Sequence, residues 1–251
     1  YFETVFQRLG TRFDYYYPES IVGEYGAKIV KDHIEDGTFV KSEGAVIFEG
    51  EKVGLHNRVF LNSLGLPTYE AKELGLNWKK HEDYPADVSL IVTGKEINEY
   101  FDVLLAAMKQ VIPEVAKKTK HIGHGMVRLP TGKMSSRTGT VVTGESLIDI
   151  VKEEIRIKVI DNISKSKDSD TTNANDITEA LAIAAIKYCF LRIALPGDLI
   201  FDIEKSLTLS GDSGPYLLYT YARCQSVLRK SSVIARSSST AAIPASPAGR
   251  P

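Results

Sequence analysis

The sequence predicts an α/β domain built on a parallel sheet, followed by an all-α region. Up to about residue 144, short apolar runs typical of buried strands alternate with segments that carry apolar residues at helical spacing. This alternation is characteristic of a parallel sheet with crossover helices. Residues 145–230 carry three long helical patterns, and from residue 231 onward the sequence contains no aromatic and no acidic residue.

The elements of the first region follow from apolar spacing and from the residues that end each pattern. Gly10 ends the first helical pattern, Ser20 caps the second, and Pro113 stops the last. Pro18 ends an aromatic run that is typical of a strand. The predicted helices are residues 1–9, 20–35, 68–74 and 95–111, and the predicted strands are residues 13–17, 44–48, 58–61, 87–92 and 121–129.

The second region is predicted to be helical. Its helices are residues 145–163, 176–195 and 215–230, joined by polar residues and by a Gly-Asp-Ser-Gly turn before Pro215. The tail from residue 231 cannot bury enough apolar surface to fold, so we expect disorder there. The predicted divisions are therefore 1–144, 145–230 and 231–251.

Composition narrows the function classes only slightly. The chain has 251 residues, 43% of them hydrophobic and 25% charged, with a net charge of −1, so any RNA contact must come from a local patch. Cys189 and Cys224 lie far apart without a CxxC spacing, which predicts a reduced, cytoplasmic chain without structural zinc. The sequence contains no run of about 18 apolar residues, so it predicts no membrane span. Because the chain begins with Tyr1, we expect a piece of a longer protein.

The loop from Gly132 to Gly139 is the strongest candidate for binding a ligand. It places Lys133, Ser135, Ser136 and Arg137 between two glycines, directly after a predicted strand. Ligands of open α/β sheets lie beyond the carboxyl ends of strands, and these side chains suit a polyphosphate. The alternative is a solvated polar turn.

The whole string Lys-Met-Ser-Ser-Arg-x-Gly resembles the KMSKS loop of class I aminoacyl-tRNA synthetases, in the variant of the arginyl-tRNA synthetases. The resemblance implies ATP as substrate, with Mg²⁺ accompanying it and no metal ligand from the protein. It also implies that Lys133, Ser135 and Ser136 stabilise the charge that develops as pyrophosphate leaves. Arg137 either assists or anchors the loop.

The tetrapeptide His121-Ile122-Gly123-His124 spells the other signature of this class, HIGH, but we reject it in that role. The motif functions at the start of a helix, whereas these residues lie in a predicted strand shortly before Lys133. The stretch is more similar to the family pattern His-x-x-Phe-Gly-Met-Val, with His124 in the place of the aromatic residue. That match implies that the backbone of Gly125, Met126 and Val127 faces the adenine of ATP; a plain core strand is the alternative.

Two further segments resemble the arginine-binding parts of the family. Tyr69 and Glu73 lie one helical turn apart and share a face, and the resemblance implies that they hold the guanidinium of arginine. Glu73 stands where aspartate is commoner, and an amphipathic surface helix is the alternative. Gly94, Glu96, Tyr100 and Phe101 match a family motif after the next strand, in which Ile97 replaces a polar residue. A carboxylate that stabilises a helix N-terminus would equally explain Glu96.

The segment Ser213–Arg223 resembles the opening of the family's helical anticodon-binding domain. Tyr216, Tyr219 and Arg223 would then contact tRNA by stacking on bases and by pairing with phosphates. An ordinary packed helix is the alternative. The segment Asp14–Ser20 also resembles the family, and we expect its role to be structural.

Together these segments identify the chain as resembling part of an arginyl-tRNA synthetase. The implied architecture is the second half of a Rossmann-type catalytic domain and the start of an anticodon-binding domain. The implied function is ATP-dependent activation of arginine and its transfer to tRNA(Arg); the sequence leaves the oligomeric state open, with a monomer favoured. Members of the family need bound tRNA to activate arginine. No segment before Lys133 is a candidate for the helix that carries the HIGH motif, so we expect negligible activity from the isolated chain. Another class I synthetase, or a non-catalytic tRNA-binding remnant, is the alternative.

Overall fold

The computed structural model describes residues 1–128, 130, 143–164, 174–208 and 211–240, with side chains described outside 158–164, 174 and 232–240. The helices are α1 (Phe2–Arg8), α2 (Glu19–Asp32), α3 (Tyr69–Asp83), α4 (Asn98–Val111), α5 (Pro113–Lys118), α6 (Gly144–Ser164), α7 (Ala174–Leu191), α8 (Ile203–Ser206) and α9 (Gly214–Thr240). The strands are β1 (Phe39–Ser42), β2 (Ala45–Phe48), β3 (Arg58–Leu61), β4 (Ser89–Gly94), β5 (Thr119–His124), β6 (Val127–Arg128) and β7 (Leu199–Ile200).

The chain forms two compact units. The first, the sheet unit, comprises Gly10–Met126 and Ala194–Asp198. The second, the helical unit, comprises Tyr1–Leu9, Val127–Ile193 and the described residues from Leu199 onward. The predicted division after residue 144 differs from this one because β6 pairs with β7, which follows α7.

The sheet unit contains two separate sheets. Strands β1, β2 and β3 form an antiparallel sheet in which Phe39 lies opposite Phe48. Strands β4 and β5 pair in parallel, from Ser89 opposite Thr119 to Gly94 opposite His124, and the connection between them contains α4 and α5. Buried aromatic and aliphatic side chains of the antiparallel sheet and of α2 to α5 share one core, and the partly buried Ile91 of β4 packs against it. The carboxyl ends of β4 and β5 therefore lie side by side, as expected for a ligand site.

Helices α2 and α3 pack closely because each has a glycine at the contact. A Cβ on Gly26 would overlap the carbonyl of Ala71, and a Cβ on Gly75 would overlap the carbonyl of Val22. The ring of Tyr25 also stacks on Trp78, with 5.3 Å between the centroids. This contact fixes α3, which carries the predicted arginine-binding pair.

The helical unit is built on α6, α7 and α9. Its buried cluster combines Ile148 and Val151 of α6 with Ala182 and Ile186 of α7 and with Phe201. A Cβ on Gly214 would overlap the carbonyl of Ala184, so the start of α9 lies directly on α7.

Helix α1 is tied to the same unit by an ion-pair cluster. Arg8 binds Glu179 at 2.9 Å and Asp149 at 2.8 Å, and Lys152 also binds Glu179, at 2.8 Å. These contacts lower the pKa of Glu179, chiefly through its hydrogen bond from Arg8. Among the described residues, no helix is long and apolar enough to cross a membrane.

The predicted α/β class is confirmed, but several element predictions were wrong. Residues 13–17 form no strand, because their aromatic rings pack near the end of α3; Tyr15 lies 6.1 Å from Tyr84 between ring centroids. The strand predicted over 121–129 is interrupted at Gly125 and Met126. Pro113 begins α5 instead of only stopping α4, since proline fits the first turn of a helix.

Other differences concern short or exposed elements. The sheet formed by β1, β2 and β3 is antiparallel, whereas the pattern predicted parallel strands. The two-residue strand β7 and the single-turn helix α8 carry too few residues for a periodic signal, and β1 has polar residues at two of its four positions. Helix α9 continues to Thr240, into the segment expected to be disordered, and residues 241–251 lie outside the described part.

The α2–α3 contact predicts a strong response to a single methyl group. Gly26→Ala should lower the free energy of unfolding by about 3 kcal/mol, because the methyl group must displace the backbone of α3. Gly144→Ala is the matched control, since no atom of the described residues lies within 4 Å of the Cβ position there. Urea unfolding measures both variants, and equal stability of the two would contradict the packing described here.

Candidate active site

The carboxyl ends of β4 and β5 form the floor of the candidate site. The hydroxyl of Thr93 hydrogen-bonds to Nε2 of His121 at 2.7 Å, and the His121 ring stacks on Phe101 of α4 with centroids 3.9 Å apart. Burial lowers the pKa of His121, with Asp102 acting weakly in the opposite direction. His121 is therefore neutral at pH 7 and is held by the fold on two sides.

The interruption between β5 and β6 is organised by the segment Ala194–Asp198. A Cβ on Gly125 would overlap the carbonyl of Gly197, so only glycine fits there. The amide of Met126 donates to Asp198 at 2.9 Å, and the same carboxylate binds the ammonium of Lys95 at 2.7 Å. Sequence reasoning missed Lys95 and Asp198, because a contact across about 100 residues leaves no local pattern.

These contacts bear on the predicted adenine edge. The amide of Met126 is engaged by Asp198, and the carbonyl of Gly125 lies 2.8 Å from Nδ1 of His124. Val127 pairs with Leu199 in β6 and β7. Adenine would need to compete for the Met126 amide or use other backbone groups of this segment.

Helix α3 begins at the candidate arginine-binding pair. The hydroxyl of Thr68 donates to the carbonyls of Val59, at 2.7 Å, and Phe60, at 3.0 Å, which anchors the start of α3 to β3. Tyr69 is the first residue of α3 and is 43% exposed. Its hydroxyl donates to the carboxylate of Glu73, one turn further along. The structure therefore brings the two predicted residues together.

Glu73 is a partly buried carboxylate. Burial raises its pKa, while the ammonium of Lys80 and the hydroxyl of Tyr69 act in the opposite direction. Among the described residues, no cationic side chain lies within 4 Å of Glu73. A desolvated carboxylate without an ion-pair partner is a favourable site for a guanidinium, which can donate two hydrogen bonds to it.

Three further residues surround this pair, and sequence reasoning assigned none of them to the site. The ring of Tyr100 lies 5.0 Å from that of Tyr69 between centroids, and the guanidinium of Arg58 lies 5.6 Å from the Tyr100 centroid. Arg58 also contacts Glu70 at 3.5 Å. Tyr100 matched the motif that contains Glu96, which was the available signal, whereas Arg58 appeared as one residue of a strand pattern.

The hydroxyl of Tyr100 is notable for its burial. Tyr100 is 5% exposed, and its hydroxyl finds no hydrogen-bond partner in the described part of the chain. Burial raises the pKa of Tyr100 strongly, and the carboxylates of Glu73 and Glu70 add to the effect. The neutral phenol is therefore an additional donor beside Glu73.

Glu96 is placed differently from Tyr69 and Glu73. It lies in the turn between β4 and α4, is exposed, and its carboxylate folds over Gly94. Among the described residues, Glu96 is not one of the charged groups that shift the pKa of Glu73. The structure thus unites two of the three predicted arginine-binding residues and leaves the third at the edge of the sheet.

The candidate tRNA-binding residues share one face of α9. Tyr216 and Tyr219 are exposed, and the guanidinium of Arg223 donates to the hydroxyl of Tyr219 at 2.8 Å. The start of this helix is held by Ser213, whose hydroxyl accepts from the amide of Tyr216 at 3.1 Å and donates to the carbonyl of Thr208. An exposed tyrosine beside an arginine suits stacking on a base.

The predicted phosphate-binding residues Lys133, Ser135, Ser136 and Arg137 lie outside the described residues. Within the described ranges, no group of three or more histidine, cysteine, aspartate or glutamate side chains could hold a metal ion.

Comparison with known proteins decides the family. Residues 1–203 match the family described as "tRNA synthetases class I (R), catalytic domain". The chain belongs to this family of arginyl-tRNA synthetase catalytic domains. The resemblance inferred from the Lys-Met-Ser-Ser loop and from the Tyr69 segment is thereby confirmed.

Named relatives agree with this family. The arginine–tRNA ligase of Amoebophilus asiaticus is 35% identical over 235 residues, which are 91% of this chain and 38% of the relative. That of Treponema denticola is 34% identical over 226 residues, 90% of this chain and 38% of the relative. The chain thus spans less than half the length of these arginyl-tRNA synthetases.

Solved structures of the family share the fold. The arginyl-tRNA synthetase of Plasmodium falciparum superposes with a TM-score of 0.74 over 91% of this chain and 38% of that chain, at 20% identity. That of Thermus thermophilus gives a TM-score of 0.72 over 91% of this chain and 44% of that chain, also at 20% identity.

The partly buried carboxylate of Glu73 predicts an unusual pH dependence of stability. Because the pKa of Glu73 is higher in the folded than in the unfolded chain, the folded state is favoured at low pH and loses that advantage as pH rises through the folded pKa. Glu73→Gln should therefore be more stable than the parent at pH 8, with a difference that shrinks toward pH 4. Urea unfolding across this range measures it.

Glu114→Gln is the matched control for this series. The hydrogen bond from Lys117 lowers the pKa of Glu114, so its replacement should give no stabilisation at pH 8. If Glu73→Gln behaved like Glu114→Gln, the interpretation of Glu73 as an unpaired, desolvated carboxylate would be wrong.

Proposed function

We propose that this chain is the arginine-selecting and pyrophosphate-facing part of an arginine–tRNA ligase. The observation that carries the proposal is the hydrogen-bonded pair of Tyr69 and Glu73 beside the buried phenol of Tyr100. The proposed reaction is ATP-dependent formation of arginyl adenylate, followed by transfer of arginine to the 3′ end of tRNA(Arg).

Recognition of arginine follows from the chemistry of α3. The substrate guanidinium would donate to one carboxylate oxygen of Glu73. The Tyr69 hydroxyl would then donate to the second carboxylate oxygen, or its oxygen would accept a hydrogen bond from the edge of the guanidinium. The Tyr69 and Tyr100 rings, 5.0 Å apart, would cover its planar face. Glu73 is one methylene longer than aspartate, so its carboxylate reaches further from α3. We propose that the exposed ring of Tyr69 limits the space available to this carboxylate.

ATP is proposed as the co-substrate on the basis of family membership and of the residues between Gly132 and Gly139. The carboxylate of arginine attacks the α-phosphorus of ATP, the bond to the bridging oxygen breaks, and pyrophosphate leaves. Lys133, Ser135 and Ser136 supply one cation and two hydroxyl donors for the charge on that leaving group. Gly125, Met126 and Val127 are proposed to contact adenine. Mg²⁺ would arrive on the phosphate oxygens of ATP and neutralise part of their charge.

Contact with tRNA(Arg) is proposed for Tyr216, Tyr219 and Arg223. These side chains are exposed on one face of α9, and the Tyr219 ring is already paired with Arg223. A cytoplasmic location is proposed because Cys189 and Cys224 are both free thiols. The alternatives are another class I synthetase and a tRNA-binding remnant without catalysis. Another class I synthetase would not require a desolvated carboxylate at position 73, and a tRNA-binding remnant would not require the Lys133 loop.

Aminoacylation of tRNA tests the proposed function. In a chimera, this chain replaces the matched segment of the Amoebophilus asiaticus ligase, and attachment of labelled arginine to tRNA(Arg) is measured. We expect activity from the chimera, a large loss of kcat with Lys133→Ala, and negligible activity from the 251-residue chain alone. Preference for another amino acid, or tRNA binding without ATP-dependent attachment by the chimera, would contradict the proposal.

The same chimera tests the guanidinium site. Glu73→Gln removes the negative charge and should raise KM for arginine at least about tenfold, since a charge-assisted hydrogen bond contributes about 1.5–3 kcal/mol. Tyr69→Phe should have a smaller effect, because it removes a neutral donor. Glu114→Gln, at an exposed position of α5, is the control, and a KM for arginine that is equal in all three variants would exclude Glu73 from binding.

A further inference from the structure

A cavity lies at the amino-terminal end of the β4–β5 pair, opposite the carboxyl ends of these strands. It has a volume of about 440 Å³ and is bordered by Ser89 and Thr119, the first residues of the two strands. The segment 12–17, the last turns of α3 and the end of α5 complete its wall. All of these residues belong to the sheet unit, and the volume falls in the range of small-ligand pockets.

The wall of this cavity is strongly basic. Arg12, Lys80, His81 and Lys118 line it, against a single acidic lining residue, Asp14. Within the described ranges, none of these four side chains is within 4 Å of a carboxylate, whereas both other lysines of α3 are paired. The unpaired cations of Arg12, Lys80 and Lys118 around one concave surface favour an anion.

Lys80 contributes the least solvated of these charges. Burial lowers its pKa, and the more distant Glu73 compensates for only part of the effect. A bound anion would stabilise the charged ammonium at this position, which water and Glu73 do incompletely. The cavity therefore offers a cation whose environment is improved by a ligand.

Aromatic rings form the other side of the cavity. Tyr15 lies between Tyr17 and Tyr84, with centroid distances of 6.2 and 6.1 Å. Tyr15 and Tyr84 are both more than half exposed, although they face a concave surface. Planar ligands gain dispersion and π-stacking from such rings, whereas an inorganic anion does not.

Asn77 adds an unsatisfied acceptor. It is 2% exposed, its Nδ2 donates to the main-chain carbonyl of Glu73 at 2.9 Å, and its Oδ1 finds no partner in the described part of the chain. A buried acceptor without a donor costs about 1–3 kcal/mol. Since Asn77 lines this cavity, a ligand N–H group would remove that cost.

We propose that this cavity binds a nucleoside monophosphate with an exocyclic amino group, of the chemical class of AMP. The phosphate binds Lys80, Lys118 and Arg12, the base stacks on Tyr15 and Tyr84, and its amino group donates to Oδ1 of Asn77. This site is separate from the proposed arginine site at the start of α3 and from the proposed adenine contacts after β5, and it does not depend on the proposed function.

The test is a titration of the 251-residue chain with AMP, adenosine, inorganic phosphate and purine riboside monophosphate, which lacks the amino group. Calorimetry measures each Kd, and hydrogen exchange locates the site. We expect AMP to bind tighter than the other three ligands and to protect residues 12–17 and 77–90. Protection confined to residues 123–144 would overturn the proposal, as would phosphate or adenosine binding as tightly as AMP, or no binding of AMP.

Charge variants complete the test. Lys80→Met and Lys118→Met should each weaken AMP binding about tenfold, because each removes one charge-assisted contact. Lys117→Met is the matched control: it is the neighbour of Lys118 on α5, pairs with Glu114 at 2.6 Å and does not line the cavity. Unchanged affinity in both Lys80→Met and Lys118→Met, with all three variants folded by circular dichroism, would refute the site.

Discussion

The close packing of α3 on its neighbours is the constraint on which the candidate site depends. Glycines at 26 and 75 let the backbones of α2 and α3 approach each other, and Thr68 ties the first turn of α3 to the end of β3. With the helix fixed at both places, Tyr69 and Glu73 lie beside Tyr100. A site assembled from a rigid helix loses little conformational entropy on binding, which favours discrimination between similar side chains.

The electrostatics of α3 are organised around one partly buried carboxylate. Glu73 has a raised pKa, no ion-pair partner within the described residues, and an unpartnered phenol nearby in Tyr100. Each of these features is unfavourable in the unliganded protein. A guanidinium would relieve them together, because it supplies a charge for Glu73 and covers the aromatic rings. Together, these three features favour a guanidinium ligand more strongly than any single residue does.

Much of this could be predicted from sequence, and the failures have physical causes. Tyr69 and Glu73 were found because helical spacing places positions four apart on one face. Helices such as α4 and α6 were found because their apolar positions recur over several turns. Residues 13–17 were misassigned because aromatic side chains suit a strand and a helix-packed extended segment equally. The ties of Asp198 to Met126 and Lys95 escaped detection because they join segments separated by 72 residues or more.

The central claim is that the face of α3 carrying Glu73 binds a guanidinium because the guanidinium is positively charged. Binding of arginine and of citrulline, its neutral isostere, to the chimera described above tests this most directly. Calorimetry at pH 8, where Glu73 is most fully ionised, should give a Kd for arginine at least about tenfold lower than that for citrulline, with the difference lost in Glu73→Gln. Equal Kd values for the two ligands, or a preference for arginine that survives Glu73→Gln, would contradict the account.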